Sequence, residues 1–424
     1  DEPMDDEPMD DEPMDDEPMD DEPMTSRTWG AYTYEIDFEP SYRGVTDDTV
    51  RIGMLYEAAQ FFGMDQGAEA RFEAATKDGD LPGGRAIELV KVVDDSSNPQ
   101  TNFEGARSLV ENDEVFAILS TSQALTPQTS NYLAENQVPF TGWGFMPGYC
   151  APNDWGLGFT GCASGFAFGV EGAVSATSPR DVWITYFESQ GIDGNEITVG
   201  VFNADNEAGR GGEVQNRELW GDQMIFSDYV PTATAGGITD PTRFVNTVLE
   251  NNPDLVILST DFPAAVALKA AIAASSYEGR VTDYLSYIPG ILEFSPDIAQ
   301  AFEGGFGVTQ VPPLDPSEPA IQKLLADFGA VGYNPGFGAL IGYWSADLMV
   351  QMIAAAGEDL NTASFYQAIN IDGFQATQMS GGLGEVKFPA DHVATPDCTG
   401  LMQVVEGEFV VAAPFICYGN HPDR

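Results

Sequence analysis

Side chains able to do covalent chemistry are scarce in this sequence. Its 424 residues include only two histidines, His392 and His421. A Ser-His-Asp hydrolase needs a histidine beside its nucleophile. Here His392 lies in the polar stretch PADHVATPD, His421 stands at the end of the chain, and no Gly-x-Ser-x-Gly elbow occurs. The four cysteines, Cys150, Cys162, Cys398 and Cys417, show no Cys-x-x-Cys spacing, which with two histidines is poor zinc chemistry. Gly156, Gly158 and Gly161 spell Gly-x-Gly-x-x-Gly, but inside DWGLGFTGC, where neither the preceding strand nor the following helix start that a dinucleotide site needs is expected. Asp94 and Asp95 fall ahead of a helix start, where acids act as caps beside the helix dipole. The expectation is no catalytic residue, no metal and no cofactor: a binder, not an enzyme.

What remains is a set of loops at strand ends. In parallel α/β sheets ligands bind beyond the C-terminal ends of the strands, where N–H groups at helix starts are free. The loops YEAAQFFGMD, STSQALTP and TGWGFMPGYC supply Gln60, Phe61, Phe62, Ser120, Ser122, Gln123, Trp143, Gly144 and Phe145. NADNEAGRGG, STDFPA and LSYIPG supply Asn206, Asp261, Phe262, Tyr284 and Tyr287. Hydroxyls, amides and aromatics on facing loops suit a cleft that closes on a small molecule. Trp143→Ala is expected to weaken binding at least tenfold with little effect on stability of the unliganded protein.

The elements that would position these loops repeat with a regular rhythm. From Val50, the runs VRIGMLY, IELVKVVDD, VFAILST and PFTGWGF read as strands, separated by amphipathic helices that open at Asn98-Pro99 and Thr126-Pro127. The rhythm restarts at EITVGVFN and continues through QMIFSDYVP, DLVILST, RVTDYLSYI and GGFGVTQVP, with a helix capped by Asp261 and Pro263. Strands alternating with helices give parallel sheets with right-handed crossovers, so the fold class is α/β with two doubly wound lobes. PAIQKLLADFG and GALIGYWSADLMVQMIAAAG read as helices, the second apolar nearly all round and therefore buried. LMQVVEGEFVVAAPF reads as a hairpin turning at Glu406-Gly407.

Composition sets the surroundings. The formal charge is -50, and five DEPMD-type repeats over residues 1–24 supply 14 of the 67 acids and none of the 17 bases. The remainder is still strongly acidic, with no basic cluster, which excludes nucleic acid as a partner. The repeats cannot bury apolar surface and are expected to form an extended spacer. An even number of cysteines, locally spaced, favours the disulfides Cys150–Cys162 and Cys398–Cys417 in an exported protein, although four cysteines allow three pairings. The longest uncharged run, residues 328–346, is interrupted by Pro335 and five glycines and reads as a loop entering a buried helix. Lacking a signal peptide, the sequence is expected to be a processed form, tethered, if at all, by an upstream lipid anchor.

VRIGMLYEAA, followed by VVDDSSNPQTNFEGARSLVENDEVFAILSTSQALTPQTSNYLAENQVPFTGW, resembles in order and spacing the first lobe of the type I periplasmic substrate-binding proteins of ABC importers, in the class that binds leucine, isoleucine and valine. GALIGYWSADLMVQMIAAAG resembles that family's late helix returning to the first lobe. The resemblance implies three connections between lobes, near 170–197, 306–314 and 384–400. With them go the domains: an acidic tail 1–24, a linker 25–45, a first lobe 46–169 plus 311–394, and a second 170–310 plus 395–424. It also implies a monomer serving ABC permease subunits outside the cell or in a periplasm. The alternatives are a ligand-sensing module of a signalling system, or a surface assembly protein using its acidic repeats. Of the family's amino-acid site, Ser122 matches. Trp143 and Phe145 replace the substrate-gripping threonine and backbone, Ala208 replaces a tyrosine, and no acid stands near Tyr287 for the ammonium. An unpaired buried ammonium is costly, so an aromatic or amide-like ligand is expected ahead of an amino-acid-like one, which Asp261 keeps open.

Overall fold

The computed structural model describes residues 25–284, 287, 290–376 and 385–418. The DEPMD repeats, and the spacer role expected of them, lie outside the described residues.

Two sheets organise the chain. Strands β1 (Ser26–Trp29) and β2 (Tyr32–Glu35) form an antiparallel hairpin. Then β3 (Thr49–Tyr56), β4 (Ala86–Asp94), β5 (Ala117–Thr121), β6 (Phe140–Gly142) and β7 (Gly156–Gly158) make a parallel five-stranded sheet ordered β4-β3-β5-β6-β7. A second parallel set, β8 (Val199–Ala204), β9 (Met224–Val230), β10 (Leu255–Ser259), β11 (Arg280–Asp283) and β12 (Phe306–Thr309), runs β9-β8-β10-β11-β12. After the two-residue strands β13 (Phe374–Gln375) and β14 (Lys387–Phe388), antiparallel β15 (Cys398–Val405) and β16 (Glu408–Cys417) extend this sheet to seven strands. Strands such as AILST in β5 are buried at every position because helices cover both faces.

Local signals account for the elements. Asn98 accepts from the Gln100 and Thr101 N–H groups with Pro99 in the first turn, the arrangement that satisfies orphan donors at a helix start. Glu406 and Gly407 both take positive φ, 54° and 77°, as a two-residue hairpin turn between twisted strands requires. Both disulfides form as the local pairs, Cys150 with Cys162 and Cys398 with Cys417.

The helix Phe337–Ala356 is buried at 16 of its 20 positions. Among the described residues it is the one helix long and apolar enough to cross a membrane, and 78% of its apolar window is buried inside the fold. It lies against the helix Met64–Asp78. Glycines permit this close approach, since a Cβ at Gly67 would sit 1.8 Å from the Ala339 carbonyl oxygen and one at Gly342 1.9 Å from that of Met64. Arg71, fully buried, donates to Asp347 at 2.7 Å and Asp80 at 2.9 Å.

Residues 25–45, expected as a linker, carry the β1–β2 hairpin and then dock: the Arg43 guanidinium donates to the carbonyls of Val115 and Asn136, each at 2.9 Å. The chain passes between the sheets three times, after β7, after β12 and before β15. The first and third passages are joined, because Cys162 N donates to the Ala394 carbonyl at 2.7 Å. In addition, the Asp397 carboxylate accepts from the N–H groups of Ser178 at 2.8 Å and Thr177 at 3.1 Å.

Candidate functional site

Where the C-terminal ends of the two parallel sheets meet, side chains from both line a partly open cavity of about 170 Å³. Gln60, Gln123, Trp143 and Phe145 reach it from the loops after β3, β5 and β6. Ser259, Thr260, Tyr284 and Gln310 reach it from the ends of β10, β11 and β12. The helix Glu207–Trp220 closes one wall with Ala208, Gly209, Gly212, Gln215, Asn216 and Leu219.

Trp143 is the aromatic floor. It is 7% exposed, and its ring meets Phe145 at 5.1 Å, Phe337 at 5.7 Å and Phe61 at 6.1 Å. Its Nε1 donates to Gln310 Oε1 at 2.7 Å. Across the cavity, Asn206 donates to Gln123 Oε1 and Gln123 Nε2 donates to Gln60 Oε1 at 2.9 Å, a file of amides joining the two sheets.

The other residues expected at the site hold it from behind. Ser122 accepts from Ala124 N at 2.9 Å, and the Ser120 carbonyl accepts from the Tyr149 hydroxyl. Gly144 N donates to Thr160 Oγ1 at 3.0 Å, and a Cβ there would lie 1.8 Å from the Gly161 carbonyl oxygen. Phe61 is wholly buried behind Trp143, Phe62 is 73% exposed, and Phe262 packs on Phe302. Tyr287 packs on Phe409 and accepts from Leu314 N at 2.9 Å. Asp261 is the expectation that changes most. Its two carboxylate oxygens accept from Ala264 N at 3.0 Å and Ala233 N at 2.6 Å, so it serves as a helix cap and loop anchor, and it is not among the residues that line the cavity.

Two buried acids flank the loop that carries Gln60. Glu57 is 7% exposed and its Oε2 has no partner; burial first, then the Asp95 charge, pushes its carboxyl up to about 7, against hydrogen bonds from the Gln123 backbone and Ser97. Burial also raises Asp95, opposed by hydrogen bonds from Asn102, Ser122 and the Ser97 backbone. Among the described residues no group of three or more histidine, cysteine or carboxylate side chains could hold a metal ion.

Sequence reasoning missed Gln310, Ser164, Gln215 and Asn216. Gln310 ends a strand that was legible and obeys the same rule as the others. Gln215 and Asn216 stand on a helix, one turn beyond Gly212 and two beyond Ala208 and Gly209. The signal was a small and amide face at helical spacing, opposite the charged one.

The cavity lies between two parallel sheets, and a family model described as "Periplasmic binding protein" matches residues 49–408. The chain belongs to that family. Its two-sheet α/β architecture is the type I form of the periplasmic binding protein. No curated protein matches the sequence. Among solved structures it is similar to an ABC transporter substrate-binding protein from Aeropyrum pernix, at 13% identity and TM-score 0.70, covering 89% of this chain and 98% of that one. It is also similar to a solute-binding protein from R. palustris in complex with benzoate, at 17% identity and TM-score 0.64, covering 88% and 98%. A branched-chain amino acid transporter substrate-binding protein from Streptococcus pneumoniae, in complex with isoleucine, aligns at 16% identity and TM-score 0.66, covering 87% and 99%.

Proposed function

We propose that this periplasmic binding protein is the solute-binding component of an ABC importer, capturing a small molecule in the cavity between its sheets and presenting it to permease subunits. The observation that carries this reading is that the cavity draws its lining from both sheets. The two lobes would be residues 46–169 with 311–394, and 170–310 with 395–424, moving about the three passages. A location outside the cytoplasm is supported by two disulfides, which persist in oxidising compartments; the reading includes a lipid anchor upstream and a monomeric state. The ligand is aromatic, amide-like or amino-acid-like. A thermal-shift screen of such compounds tests the reading, since a ligand at a hundredfold its Kd adds about 2.7 kcal/mol of stability. Stabilisation by none of these classes would overturn it.

A further inference from the structure

We infer that the cavity, on the reading that it is the ligand site, takes an uncharged molecule about one ring in size that carries an amide or comparable donor-acceptor edge. Four observations converge on this.

None of the 18 described lining residues is Asp, Glu, Lys, Arg or His. A ligand charge would therefore enter without a counter-charge, and unpaired charges are not buried.

Two helix starts that could receive a carboxylate already hold an acceptor of the protein itself: Asn206 Oδ1 accepts from Gly209 N at 2.8 Å at the start of the helix Glu207–Trp220, and Asp261 Oδ1 accepts from Ala264 N at 3.0 Å at the start of the helix Phe262–Ala273. Asp261, next to the lining residue Thr260, does not itself line the cavity. For an ammonium, the acid at the end of β11 is committed: Asp283 pairs with Lys269 at 2.5 Å, both nearly fully buried.

Neutral polar groups, by contrast, stand ready. Asn216 is 3% exposed and lines the cavity, and its side-chain amide makes no hydrogen bond among the described residues. The Tyr284 hydroxyl and the Gln215 amide are likewise without partners there. Buried amides require both a donor and an acceptor in return.

Size sets the last limit. A cavity of about 150 Å³ holds one benzene, so about 170 Å³ holds a single substituted ring, laid against Trp143 and Phe145.

The experiment is isothermal titration of the full chain with benzamide, benzoate, benzylammonium and L-leucine, repeated on Gln215→Trp, which fills the cavity, and Gln215→Glu, which charges it. Benzamide should bind at least tenfold tighter than each charged probe. Gln215→Trp should abolish that binding, and Gln215→Glu should narrow the gap between benzamide and benzylammonium. A charged probe binding as tightly as benzamide, and lost in Gln215→Trp, would overturn the inference while leaving the cleft as the ligand site. Binding unchanged by Gln215→Trp would overturn the cleft itself. Binding of none of the four would overturn the proposed ligand class.

Discussion

Asn206 donates its side-chain amide to Gln123, so a residue that follows a strand of the seven-stranded sheet is hydrogen-bonded to one that follows a strand of the five-stranded sheet. Gln123 passes the link to Gln60. A neutral hydrogen bond contributes about 0.5–1.5 kcal/mol net, a strength suited to a link that must form and break as a cleft opens. Gln123→Ala is expected to weaken ligand binding roughly tenfold while lowering unfolding free energy by no more than about 1 kcal/mol. Calorimetric titration beside urea unfolding separates the two; full affinity in the variant would remove the amide file from the site.

Trp143 is a different case, and the structure corrects the expectation that its removal would spare stability. A tryptophan that is 7% exposed and packed on Phe61, Phe145 and Phe337 is core as well as site. Trp143→Ala should cost about 3–5 kcal/mol of stability together with binding, whereas Trp143→Phe should keep most of the former. Unfolding midpoints of the two variants check this.

Two buried titratable groups pull the pH profile in opposite directions. Glu57 has its folded pKa raised to about 7. Between about pH 4.5 and 7 the native state holds a proton that the unfolded chain releases, so stability from this group falls as pH rises. Glu57→Gln should stabilise the protein at pH 8 by about 1–3 kcal/mol and do nothing near pH 4. Unfolding free energies at the two pH values decide it, and an equal effect at both would show that Glu57 is not protonated in the native state.

His392 is fully buried, stacked on Tyr34, with its folded pKa pushed by burial down to about 3. From about pH 6.5 down to 3 the unfolded chain takes a proton that the native state refuses, so this group loses stability as pH falls. Across pH 4.5–6.5 the Glu57 and His392 slopes oppose each other, each up to about 1.4 kcal/mol per pH unit. Glu57→Gln alone should therefore steepen the acid limb, and His392→Gln alone should tilt the profile the other way. The double variant should return it to the parent slope.

The two disulfides should separate stability from binding. Cys398–Cys417 joins paired residues of β15 and β16, and neither strand lines the cavity. Replacing both cysteines by serine should cost about 3 kcal/mol and leave affinity unchanged. Cys150–Cys162 fixes the segment leading to Ala163 and Ser164, which do line it, so its removal should reduce both. Affinity unaltered in both variants would detach the Ala163 segment from the site.

The fold was far more legible than the site. Alternating apolar runs and capped helices locate β3 to β6 and β8 to β12, because burial on both faces leaves little choice of residue in central strands such as β5 and β8, while the edge strands β4 and β9 are mostly half-buried. The β1–β2 hairpin escaped notice because SRTW and YTYE bury little; only Tyr34 is fully covered. The helix Ser178–Ser189 fell in a segment read as an inter-lobe connection. Around the cavity, the strand-end rule picked out Gln60, Gln123, Trp143 and Phe145 among the lining residues. It could not distinguish a polar side chain that faces the cavity from one that holds the backbone: Asn206 and Asp261 cap helices, and Ser122 accepts from Ala124 N within its own turn.

One consequence follows from the buried helix Phe337–Ala356. Arg71 and Asp347 lie 276 residues apart, so the first sheet keeps an apolar face open to water until the chain has run through the second sheet and come back. Contacts so distant in sequence are slow to form. During biosynthesis the N-terminal half must therefore wait, incomplete, for a helix that is made only after β12. That interval, rather than any weakness of the finished protein, is when the chain is most exposed to aggregation and most dependent on a chaperone.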